Sequence, residues 1–284
     1  MKAKTRDRLL RLRKRLVNRV AILPTLLTLG NLCSGFGAIV YASRGQTEQA
    51  GWMIFLAMLF DALDGKVARI TKAATTFGGE LDSLCDVVSF GVAPAFIALT
   101  LMSTPTPVIP SKFLWLVCAL YAACAALRLA RFNVENAPDD QAHQSFTGLP
   151  SPAAAGVVTS TVLCYLSLLG DGEAASSAHM FPRCLPYVVL LAGLMMVSRV
   201  SYSHVVNRLF RGRRPFTTLV EIVLVGVLIA LRPEGTLFVA FITYFLAGPI
   251  RHAWGALHAK PAELPAPPAV ANPEPKPESK PEAP

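Results

Sequence analysis

Apolar runs close to the length of a bilayer crossing recur along most of this chain. A helix needs about 17–25 mostly apolar residues to cross the hydrocarbon layer. Eight such stretches can be drawn, over residues 24–43, 51–69, 79–102, 113–132, 150–170, 185–198, 217–231 and 236–254. The sixth and seventh are short, so the count can change by one pair. The expected fold is therefore all-α, a polytopic transmembrane helical bundle of about eight spans. An even count puts both termini on one side, and Lys and Arg residues choose that side. Of the 27 basic residues, 23 fall in residues 2–19, 66–72, 128–131, 199–214 and 251–280. Only Arg44, Lys112, Arg183 and Arg232 lie in the alternate loops. Both termini are thus expected to be cytoplasmic.

Composition agrees with that reading. Of the 284 residues, 53% are hydrophobic and 16% charged, against about 25% charged in a soluble domain. The net charge of +9 does not point to nucleic acid, because the basic residues flank apolar runs. Topology and attraction to anionic lipid headgroups account for it. Met1 to Arg19 is basic, and no small-residue cleavage site follows the first apolar run, so no cleaved signal peptide is expected. Three parts are expected: a basic cytoplasmic segment over residues 1–20, a membrane domain over 21–255, and a tail over 256–284. From Pro261 onward nine residues are proline among Glu, Lys and Ala, a composition that cannot bury a core. The six cysteines mostly lie in apolar runs without a CxxC pair and are expected to behave as small hydrophobes.

The chemistry concentrates in one segment, Asp61-Ala-Leu-Asp64-Gly65-Lys-Val-Ala68-Arg69, followed after eight residues by Gly78-Gly-Glu-Leu-Asp82-Ser-Leu-Cys-Asp86. An aspartate at the centre of a membrane helix costs roughly 2.5–3.5 kcal/mol, so intramembrane carboxylates usually face a polar cavity with a function. Asp61 and Asp64 are i, i+3; Asp82 and Asp86 are i, i+4. Each pair therefore shares a helical face. If the two helices are antiparallel neighbours, four carboxylates converge and repel one another unless cations sit among them. Oxygen-only donors suit Mg²⁺ or Mn²⁺ rather than zinc, and so much charge could hold two ions. Gly65, Ala68 and Gly78 remove bulk beside the aspartates, and Arg69 is a planar donor for phosphate or ribose. Small residues can equally serve helix packing; beside four aspartates a site is the better account.

The pattern DxxDGxxARx₈GxxxDxxxD resembles the signature of the CDP-alcohol phosphatidyltransferase family, and every defined position matches. The resemblance implies two divalent cations held by Asp61, Asp64, Asp82 and Asp86, a CDP-linked donor bound at the same place, and a homodimer. It also implies that Asp86 is the general base on an acceptor hydroxyl, which attacks phosphorus as CMP leaves.

The motif does not name the acceptor. Residues 23–35, 126–133 and 146–152 resemble the membrane-embedded bacterial synthases that use serine, which implies CDP-diacylglycerol and L-serine as substrates. The implied location is the bacterial cytoplasmic membrane, with the active site facing the cytoplasm. One departure is Pro24-Thr25, where Pro-Asn is frequent. Thr28 and Asn31, i, i+3 on the first span, can reach the nucleotide or make a hydrogen bond between helices. Arg128, Arg131 and Asn133 are candidates for the acceptor or a phosphate, since an Arg can grip a carboxylate with two parallel hydrogen bonds; both arginines can equally snorkel to headgroups. Two rivals remain: the same chemistry with glycerol 3-phosphate, inositol phosphate or choline, and a cation-coupled transporter.

Overall fold

The structure, a computed structural model, describes residues 2–71, 76–103, 109–135, 148–170, 181–200, 202, 226, 228 and 231–257, with side chains from Ile22 onward. Among the described residues it is all helical and contains no strand. The helices are α1 (Lys2–Ser43), α2 (Thr47–Thr71), α3 (Thr76–Asp86), α4 (Ala93–Met102), α5 (Ser111–Glu135), α6 (Ser151–Gly170), α7 (Phe181–Val197) and α8 (Pro233–Leu257). A π-helical turn, Val87–Val92, joins α3 to α4.

Five helical stretches are long and apolar enough to cross a membrane: Ile22–Ser43, Phe77–Met102, Ser111–Val134, Ser151–Leu169 and Pro233–His252. The chain is a multi-pass membrane protein. Three of the eight expected spans are not among the five, each for its own reason. Residues 51–69 do form a helix, but Asp61, Asp64, Lys66 and Arg69 interrupt its apolar character. Residues 185–198 lie in a shorter apolar helix, Arg183–Val197. Residues 217–231 fall almost wholly outside the described residues, as does the Pro-rich tail.

A protein that displaces lipid is apolar outside as well as inside, and this one is. Leu59, Trp115, Leu116, Leu127, Tyr187 and Ile250 are large exposed hydrophobics. The core is built from Ile54, Phe90, Ile97, Tyr121, Val158, Val189 and Met196, all buried. Helix α1 packs most extensively on α2 and also meets α3, the π turn and α4. It is the common wall of the site. On the other side α5 packs on α7 and α6 on α8.

The π turn follows from one proline. In a regular helix the carbonyl of Phe90 would accept from the N–H of residue 94, which is Pro94 and has none. The ladder widens instead, so that the Ala93 N–H donates to the Val88 carbonyl. The buried Tyr121 hydroxyl of α5 donates to the Phe90 carbonyl at 3.1 Å. An uninterrupted helix was expected over 79–102; the structure places the widened turn directly after Asp86. Such turns occur frequently at functional sites.

The segment before α6 is pinned to the end of α7. The Gly148 N–H donates to the Val200 carbonyl at 2.8 Å and the Leu149 N–H to the Met195 carbonyl at 2.9 Å. Gly148 has φ +91, and a Cβ there would lie 2.4 Å from the Met196 carbonyl oxygen. Conformation and space both require glycine.

Candidate active site

Asp61 and Asp64 project from the second half of α2, and Asp82 from α3. Carboxylate oxygens of these three lie within 4.8 Å of one another. Asp64 is almost fully buried, and Asp61 and Asp82 are half-buried. Two buried oxygens, Asp64 Oδ2 and Asp82 Oδ1, have no hydrogen-bond partner among the described residues. An ionised carboxylate oxygen out of water needs a cation or a donor. Three of them together, all oxygen, fit a hard divalent cation. Oxygens held by one Mg²⁺ lie about 3–4.2 Å apart, so three oxygens within 4.8 Å of one another would hold an ion by closing in on it. The residues present fit the group.

Asp86 sits one turn deeper on α3, 7% exposed, and is not one of the three convergent carboxylates. Its Oδ1 accepts a hydrogen bond from Asn31 Nδ2 at 2.9 Å. Asn31 is wholly buried on α1, and its own Oδ1 has no partner among the described residues. Thr28, one turn earlier, faces Asp64 and donates its hydroxyl to the Pro24 carbonyl at 3.0 Å. Thr28 and Asn31, the two candidates on the first span, therefore both face the acidic residues.

The small residues divide into two kinds. A Cβ on Gly65 or on Gly79 would meet nothing within 4 Å, so the surface beside Asp64 and Asp82 is open to a ligand. Ala68 and Gly78 lie half-buried on the same two helices. Arg69 is exposed, and its Nε donates to the Gly65 carbonyl at 2.9 Å, which holds the guanidinium at the rim of that opening.

On α5, Arg128 is half-buried within electrostatic reach of Asp86, Tyr244 and Asp61, and Nη1 donates to the buried Ser151 hydroxyl at 2.6 Å. Arg131, one turn later, is exposed. Asn133 is engaged with α3: its Oδ1 accepts from Ser83 Oγ at 3.1 Å and its Nδ2 donates to Glu80 at 3.3 Å. Of the two arginines expected to serve an acceptor, the structure brings Arg128 to the carboxylates. Tyr244 of α8 had not been singled out; nothing local in its sequence marks it, because it reaches Arg128 only through the tertiary fold.

Residues 21–198 match the CDP-alcohol phosphatidyltransferase family, a region that contains the whole acidic motif, Asn31 and Arg128. The chain belongs to that family. Its acidic group is one that could hold the divalent cations such enzymes use. Among curated relatives, a Helicobacter pylori protein named CDP-diacylglycerol–serine O-phosphatidyltransferase is 37% identical over 191 residues, or 66% of this chain and 74% of its own length. A Mycobacterium tuberculosis protein of the same name is 42% identical over 137 residues, 47% of this chain and 46% of its own length. An Archaetidylserine synthase of Methanothermobacter thermautotrophicus is 34% identical over 186 residues, covering 64% and 70%. Helix α8, and Tyr244 with it, lies beyond the family match.

Proposed function

We propose that this protein transfers the phosphatidyl group of CDP-diacylglycerol to the hydroxyl of L-serine, giving phosphatidylserine and CMP. The observation that carries the chemistry is the convergence of Asp61, Asp64 and Asp82, with Asp86 one turn deeper on the same face. Serine is supported by the names of the relatives, which align over up to two thirds of the chain.

In this reading Asp61, Asp64 and Asp82, with Asp86 at the inner edge, hold two divalent cations, Mg²⁺ or Mn²⁺. When bound, such ions neutralise the pyrophosphate and polarise the bond to the leaving CMP. The chain's own residues do the rest. The open space at Gly65 and Gly79, beside the small residues Ala68 and Gly78, lets the donor approach the backbone. Arg69, its Nε committed to Gly65, offers its terminal nitrogens to phosphate or ribose. Arg128 takes the serine carboxylate, with Arg131 and Asn133 nearer the rim. The Asn31 bond occupies Asp86 Oδ1 and leaves Oδ2 to accept the serine hydroxyl proton. The serine oxygen forms the new bond to phosphorus as the bond to CMP breaks, with no covalent enzyme intermediate. Holding the reactants in line and stabilising charge is the protein's main contribution.

The setting proposed is a bacterial cytoplasmic membrane. The bundle would have about eight spans over 21–255, both termini and the active site in the cytoplasm, and would work as a homodimer. The 1–20 and 256–284 segments are its cytoplasmic extensions. Support comes from the basic residues, which crowd the side where Lys66 and Arg69 end α2.

The test is CMP release by detergent-purified protein given CDP-diacylglycerol and Mn²⁺, with and without L-serine. Release should require serine and vanish in Asp86→Asn while CDP-diacylglycerol still binds. Release with glycerol 3-phosphate, inositol phosphate or choline instead would keep the family and overturn serine. No release with any acceptor from folded protein would leave cation-coupled transport to be measured as flux.

A further inference from the structure

We infer that Asn31 is a positioning residue for Asp86, and that the π turn Val87–Val92 exists to lock the two together. The inference rests on the reading of Asp86 as the general base. It assigns Asn31 a role in turnover rather than in holding the nucleotide.

Three contacts carry it. The Asn31 carboxamide donates to Asp86 Oδ1 at 2.9 Å, across 55 residues of sequence, with both side chains buried. The backbone carbonyl of Asn31 accepts from Ser89 Oγ at 3.0 Å, inside the π turn. Ser89 reaches it because Gly35, one turn on along α1, has no side chain: a Cβ there would lie 2.3 Å from Ser89 Oγ and 2.7 Å from Ser89 Cα. Asn31 is thus held by its main chain from the π turn and holds, by its side chain, the residue that immediately precedes that turn.

The orientation of the amide follows from charge. Only the NH₂ end can face a carboxylate; the reverse would set two acceptors against each other. That choice leaves Asn31 Oδ1 buried without a partner among the described residues. A residue chosen for packing would not carry such a cost. The amide fixes the Asp86 rotamer through Oδ1 and leaves the other oxygen available. Widening the helix after Asp86 turns Ser89 towards α1, and Pro94 is what forces the widening.

The experiment compares wild type, Asn31→Leu, Asn31→Ser, Ser89→Ala and Asp86→Asn in detergent. It measures kcat, KM for CDP-diacylglycerol and serine, and the Mn²⁺ activation constant, with thermal unfolding in detergent as the criterion of folding. Loss of a residue that orients a functional carboxylate typically costs about 10–100-fold. Asn31→Leu should therefore lower kcat by roughly that factor while KM for CDP-diacylglycerol stays unchanged. Ser89→Ala should lower kcat less, again without moving KM. A rise in KM for CDP-diacylglycerol at unchanged kcat would make Asn31 a donor contact and overturn the inference, as would wild-type kinetics in Asn31→Leu. If that variant does not fold, Asn31→Ser and Ser89→Ala decide by the same split. Activity surviving in Asp86→Asn would sink the base assignment itself. An inactive Asp86→Asn beside a fully active Asn31→Leu would sink only the positioning role.

Discussion

Gly65→Ala should raise stability and lower activity, and the opposite signs are what make it informative. Gly65 lies inside α2 between Asp64 and Lys66, is exposed, and a Cβ there would meet nothing within 4 Å. The folded protein can therefore take the methyl without moving any atom. Alanine in a helix interior is favoured over glycine by about 0.8–1.0 kcal/mol, so thermal unfolding in detergent should occur at the same temperature or higher. If the CDP-linked donor approaches the α2 backbone at this point, the same methyl intrudes on the bound donor. Forcing one extra carbon into a close contact costs typically about 1–3 kcal/mol. That is roughly a 5–150-fold loss, expected in kcat/KM for CDP-diacylglycerol. The assay is CMP release at varied CDP-diacylglycerol, run beside thermal unfolding of the same preparation. A folding defect would lower both quantities together. Wild-type kcat/KM in Gly65→Ala would refute the idea that the empty space beside Asp64 receives the donor.

Other residues give sharper tests of separate parts of the site. Asp64→Asn and Asp82→Asn each remove charge where a buried oxygen has no partner among the described residues, so the Mn²⁺ activation constant should rise by at least about tenfold; an unmoved metal titration would remove both from the ligand set. Arg128→Ala should raise KM for serine far more than Arg131→Ala does, because Arg128 lies within electrostatic reach of Asp86 and Asp61 whereas Arg131 is exposed; the reverse order would move the carboxylate contact to the rim. Tyr121→Phe leaves the Phe90 carbonyl without its hydroxyl partner and should cost about 1 kcal/mol in detergent unfolding; unchanged stability would mean the π turn satisfies that carbonyl by another route.

The acidic site was legible in the chain because charge inside an apolar run is conspicuous and its spacing is short. Asp61 with Asp64, and Asp82 with Asp86, are each separated by a single turn, so local periodicity places each pair on a face. What lay beyond reading was how the two faces meet. Convergence of four carboxylates was expected from two antiparallel neighbours; the structure brings three within 4.8 Å and places Asp86 one turn deeper, bonded to Asn31, a partner 55 residues away. Pro94 was visible inside the expected span 79–102, where a proline announces a break in the ladder but not that the break takes the form of a widened turn. That outcome depends on Tyr121 arriving from α5 to take the freed carbonyl. One of the three spans missing from the five has a related origin, since Asp61, Asp64, Lys66 and Arg69 of α2 are what spoil its apolar character.

A helix so charged gains little from lipid and must be held by protein, which bears on how the glycines of this chain should be read. Along α1, a Cβ on Gly30 would lie 3.3 Å from the Phe60 ring and one on Gly37 2.9 Å from Met53 Cε. Seven residues apart, these two share a face, and they let α2 approach closely enough to be fixed by packing. Gly65 on α2 faces nothing. Sequence alone offers the same letter in each place, but Gly30 and Gly37 are packing positions and Gly65 is open. The deciding quantity is what an added methyl would touch. By that measure Gly30 and Gly37 of α1 serve the packing of α2, Gly51 of α2 serves its packing on Leu163 of α6, and Gly65 alone of these four leaves open space beside an aspartate.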